Sequence, residues 1–195
     1  MDTPAASLAF PRIPTRRAYF RVIRCGDTVR FNMVVLRCTR QLLMRLKYPD
    51  EDTSAQSTTR LGAWYGTLIR FGRRHVLLFI SERSRLPVLL PARDADRLAL
   101  AFPTAVSGTL MGLGVPTAAV EQERSSMSPI AIGPTRSRSL LASLNEFAFL
   151  ARTDFITRRD RTLDAVAREL AEVPLISPFK GECASVVTRR LFNVG

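Results

Sequence analysis

The chain has 195 residues, 46% of them apolar and 24% charged. That composition supports one folded domain with a real core and argues against wholesale disorder. No apolar run approaches the ~18 residues that span a bilayer. The formal charge is +12, and every basic residue except Lys47 and Lys180 is arginine. Arginine binds phosphates bidentately and stacks on bases, so the charge points to nucleic-acid phosphates as partners.

Residues 1–32 are rich in Pro and Arg and show no clear period. They lack the apolar segment of a secretory signal. They are expected to form a poorly ordered extension, or to lie upstream of a true start at Met33. A single α+β domain is expected over 33–195.

"MVVLRC" (33–38) reads as a strand. "TRQLLMRLK" follows as a helix, with Leu42, Leu43 and Leu46 on one face and Thr39 as N-cap. Residues 48–57 read as a polar loop. The segment around Leu61, Trp64, Tyr65 and Leu68 suits a short helix or a strand entry. A turn at "FGRR" then leads into "HVLLFISERSRLPVLL" (75–90), in which a five-residue polar knot separates two apolar runs. That is a hairpin signal. Pro87 cannot donate to a ladder, which makes the second strand an edge strand and a docking surface for a protein partner.

Asp94 is placed to cap the next helix. Leu98, Phe102, Val106, Leu110 and Leu113 recur at helical spacing. Pro103 inside this run predicts a kink or a second helix start, and Gly114 a C-cap. "TAAVEQERSSM" reads as a short helix, "PIAIGP" as a short strand, 135–153 and 160–175 as helices, and the tail as irregular with a short final helix. Strands scattered among helices, with a hairpin, predict an α+β fold: a mixed sheet packed against several helices rather than a doubly wound parallel sheet.

Cofactor chemistry finds no support in the sequence. There is no dinucleotide fingerprint and no P-loop. Cys25, Cys38 and Cys183 are widely spaced and His75 is the sole histidine, so no metal site is expected. The cysteine usage fits a reducing, cytoplasmic setting. No G-x-S-x-G elbow surrounds a serine.

Three segments, "STTRLGAWY" (57–65), "LLFISERSRLPVLLP" (77–91) and "SLLASLNEFAFLA" (139–151), together resemble a bacterial domain of unknown function, family 6933. The resemblance runs from about Met33 to the C-terminus and implies no activity. It marks Thr59, Arg60, Trp64, Tyr65, Glu82, Arg83, Asn145, Glu146 and Phe147 as typical positions. Ser81 stands where members carry Asn before the Glu-Arg pair, and Gly66-Thr67 where an Asn follows Trp-Tyr.

Three functions follow as expectations. The first is a basic module binding RNA or DNA through Arg73, Arg74, Arg83 and Arg85, with Trp64 or Tyr65 stacking on a base. The second is a metal-independent phosphodiesterase or ribonuclease in which Arg60, Glu82 and Arg83 share one cleft. The third is a protein-interaction partner in a toxin–antitoxin or mobile-element system, docking along the strand at Pro87. Thr59, Asn145, Glu146 and Phe147 are expected to be architectural; an inward Asn145 would need a hydrogen-bond partner from the hairpin or the 58–65 segment.

Overall fold

A computed structural model describes residues 32–49, 54–71, 74–158, 160–176 and 178–194. The extension expected over 1–32 lies outside the described residues apart from Asn32, as does Arg73. The rest is the α+β fold that the patterning predicts.

Five strands form one mixed sheet in the order β4-β3-β2-β1-β5. They are β1 (Val34–Cys38), β2 (Trp64–Phe71), β3 (Arg74–Ser81), β4 (Pro87–Pro91) and β5 (Ile130–Pro134). β1 lies between β2 and β5 and is parallel to both. β2, β3 and β4 form an antiparallel meander. The predicted hairpin is present, with Ile80 opposite Pro87 and Val76 opposite Pro91.

Of the two readings of this segment, the strand entry holds and the short helix does not. Thr59–Leu61 form a turn, and Trp64 begins eight residues of strand. Both faces of β2 are covered, so its apolar residues lack the clean alternation of a half-exposed strand. Its even positions face one core and its odd positions the other.

The first core lies between the sheet and α1 (Arg40–Leu46), α2 (Leu98–Gly112) and α3 (Thr117–Ser125). Trp64 and Phe79 both meet Phe102 edge to face there, at 5.2 and 5.1 Å. Gly66 pairs with Phe79 across the strands. A Cβ at Gly66 would stand 2.4 Å from the Phe79 ring, so glycine lets that ring lie on the strand. The second core packs α4 (Arg138–Thr157) and α5 (Leu163–Ala171) on the opposite face through Leu144, Phe147, Ala151, Val166 and Leu170. The last helix is α6 (Ala184–Leu191).

Three local expectations are refined. No second helix starts at Pro103, which sits inside a single helix that a 3-10 turn at Ala92–Arg97 leads into. Asp94 belongs to that turn and binds Arg97 at 2.6 and 2.9 Å instead of capping α2. Thr39 is the N-cap residue of α1, yet its hydroxyl pairs with Thr67.

β4 is an edge strand, as Pro87 requires, but it is not an open one. Pro87, Val88, Leu89 and Leu90 are all buried. The expected docking surface along this strand is therefore covered.

Candidate functional site

β3 carries charged residues at both ends, and the two ends are built differently. Its length sets Arg74 and Ser81 roughly 23 Å apart at ~3.3 Å per residue. Arginines 74, 83 and 85, close in sequence, thus fall into two neighbourhoods rather than one.

At the hairpin end, two of the family-typical segments meet. The turn runs from Glu82 to Arg85, closed by Arg85 N–H donating to the Ser81 carbonyl and Ser81 N–H to the Leu86 carbonyl. Arg85 adopts φ +60, a left-handed conformation uncommon for a side-chain-bearing residue. Its Nη1 donates to the Glu82 carbonyl and its guanidinium lies over Phe179. Arg85 is 6% exposed, and burial pulls its pKa below the ordinary value. It organises the turn and is not the surface phosphate contact expected of it. Ser81 Oγ accepts from Leu86 N–H and pairs with Ser84 Oγ, which in turn accepts from Thr188 of α6.

Against this turn lies the 57–63 loop. Glu82 N–H donates to the Ala63 carbonyl at 2.7 Å, and Ala63 N–H donates back to Glu82 Oε2 at 3.1 Å. Arg83 N–H reaches the Leu61 carbonyl, and Arg83 Nη1 the Arg60 carbonyl. Thr59 and Ser57 hydroxyls both donate to the Gly62 carbonyl. Gly62 sits at φ +78, and a Cβ there would come 3.0 Å from Glu82 Oε2.

Glu123 closes the arrangement from α3. It is 4% exposed and accepts from Arg60 N–H at 2.8 Å and Leu61 N–H at 2.9 Å. Burial pushes its carboxyl above the ordinary range, against the two amides and the charges of Arg60 and Arg83. Sequence reasoning passed over this residue. The available signal was Val120, Glu123 and Met127 at i, i+3 and i+7, one acid on an apolar stripe, all three buried.

Arg60, Glu82 and Arg83 therefore lie on adjoining loops, joined through backbone groups. Their bonds run to loop backbone: Glu82 to Ala63, Arg83 to Arg60, while the Arg60 guanidinium rests 5.1 Å over Phe192. Trp64 is fully buried in the core and unavailable for stacking on a base. Tyr65 is 4% exposed. Burial, then Glu82, raises its pKa, while Arg37, Arg136 and Arg85 oppose the shift.

The third segment joins the other two through the apolar second core and not through its polar side chains. Phe147 is buried beneath the sheet, whereas Asn145 and Glu146 are exposed on the outer face of α4. The inward amide, with its buried hydrogen bond, is not formed.

The other end of β3 opens on a cleft of about 620 Å³. Arg45 of α1, Arg74 and His75 of β3, Arg93 of the 3-10 turn and Arg161 before α5 line it. Phe71 and Phe155, stacked at 4.4 Å, form an apolar wall. None of the described lining residues is acidic. Arg45 Nη2 donates to the Ala92 carbonyl, and Arg161 pairs with Glu169. Arg74, His75 and Arg93 are exposed. Among the described residues, no group of three or more His, Cys, Asp or Glu side chains could hold a metal.

A mixed five-stranded sheet with a latched hairpin at one end and a basic cleft at the other defines an α+β domain. The chain belongs to the family described as "Domain of unknown function (DUF6933)", whose model matches residues 35–184. No curated protein and no solved structure matches the chain. Among the described residues no helix is long and apolar enough to cross a membrane.

Proposed function

We propose that this protein is a cytoplasmic module that binds RNA or DNA through phosphate contacts in the cleft beside Arg74. One observation carries this reading: four arginines and the chain's single histidine line one cleft with no acid among its described lining residues. Cations gathered around a concave surface focus the field and favour a polyanion. The excess of Arg over Lys suits bidentate phosphate contacts, and the chain's +12 charge assists encounter.

Phosphodiester cleavage by Glu82 with Arg60 and Arg83 draws support from their proximity. It draws none from their bonding, because the carboxylate and the Arg83 guanidinium both hold backbone.

The test is retention of the chain on immobilised nucleic acid or heparin across a salt series. Binding at low salt that weakens steeply, with log K falling by ~0.9 per phosphate contacted, is the expected result. Failure to bind at low salt would end the reading.

A further inference from the structure

Resting on that reading, we propose that the cleft recognises the terminal phosphate of a strand, a phosphomonoester, rather than the repeating diester of its interior. A protein that follows a backbone needs cations in a stripe, because each diester carries one charge and the next lies farther along the strand. Here the basic side chains converge. Arg45, Arg74, His75, Arg93 and Arg161 come from four separate parts of the chain and bound one volume.

A phosphomonoester offers that volume three acceptor oxygens and a charge of about −1.5 to −2 at neutral pH. Several guanidinium forks can share those oxygens; a diester presents two and half the charge. The cleft's size, about 620 Å³, falls among small-ligand sites of ~300–1,000 Å³. That is the scale of a terminal nucleotide.

One further feature fits a nucleotide end. Phe71 is half-buried in the wall, with its ring against Phe155, and gives the terminal base or ribose an apolar surface. The first turn of α5, with Thr162 and Leu163 in the wall, adds a weak positive end, which Asp164 in the same turn opposes. The arginines, not the helix, carry the recognition.

The full chain is titrated by fluorescence anisotropy with one single-stranded oligonucleotide in three forms: 5′-phosphate, 3′-phosphate, and hydroxyl at both ends. Inorganic phosphate and a nucleoside monophosphate serve as competitors. One of the phosphorylated forms is expected to bind at least ~10-fold tighter than the hydroxyl form, about 1.4 kcal/mol. Arg93→Ala should reduce that preference to under ~3-fold, and His75→Gln by a smaller factor, with unchanged melting curves, since both residues are exposed. Equal affinity for all three forms would overturn the proposal and leave the nucleic-acid reading standing. Competition by phosphate or nucleotide without strand binding would keep the phosphate niche and remove the nucleic-acid reading. No binding by any probe would remove both.

Discussion

The two ends of strand β3 hold similar residues in opposite employment. At Ser81 the charged side chains, exposed at Glu82 and Arg83 and buried at Arg85 and Glu123, bond to peptide groups: Glu82 holds Ala63, Arg83 holds Arg60, Arg85 holds its own turn and Glu123 holds two consecutive amides. At Arg74 the cationic side chains ring a cleft, and Arg74, His75 and Arg93 stand exposed. A charge that satisfies buried backbone is an element of the fold, and its removal leaves orphaned donors. A charge with an exposed head beside a concavity adds to the field that a ligand meets there. Proximity in sequence hides this difference, and distance along a strand reveals it.

If the hairpin end is architecture, its residues should be felt in stability and not in binding. The largest effect belongs to Glu123→Ala, which strips two amides of their acceptor. A loss of about 3 kcal/mol is expected at neutral pH, read as a shift in the urea midpoint at constant m-value. A loss under ~1 kcal/mol would mean that water replaces the carboxylate freely. Next is Gly62→Ala, at φ +78 and against Glu82. It should cost about 2 kcal/mol in the same experiment.

The smallest effect is a slope with pH. Burial holds the Glu123 carboxyl above its ordinary range, so the folded chain binds that proton more tightly than the unfolded chain. The resulting stability is complete below the ordinary glutamate value and is lost as pH rises through the raised one. The advantage of the native protein over Glu123→Gln should therefore shrink as pH climbs out of the acid range, followed by denaturation at a series of pH values. An advantage that grows would mean that the two amides outweigh burial.

The fold was largely legible because its elements repeat apolar residues at helical or strand spacing. Val34–Cys38, the hairpin and α4 all announce themselves this way. β2 did not, because a strand covered on both faces blurs its alternation, and Trp64-Tyr65 served a helix equally well. Half of the site was legible. Arg60, Glu82 and Arg83 were singled out and lie on adjoining loops, yet residue type could not reveal that the bonds of Glu82 and Arg83 run to peptide groups. Glu123 went unnoticed because an acid in a polar nine-residue helix resembles a solvated one. The cleft was hidden for a topological reason. Arg45, Arg93 and Arg161 are far apart in sequence and meet only where the ends of β2, β3 and β4 come together beside α4 and α5.

The division of labour along β3 is tested most directly by the salt dependence of nucleic-acid binding in three proteins: the native chain, Arg93→Ala and Arg83→Ala. Both arginines are exposed, and they lie at opposite ends. Arg93→Ala should weaken binding and flatten the slope of log K against log salt by ~0.9, the value for one lost phosphate contact. Arg83→Ala should leave the slope where it was. The reverse pattern, with Arg83→Ala flattening the slope and Arg93→Ala silent, would place the interface at the hairpin and contradict the account.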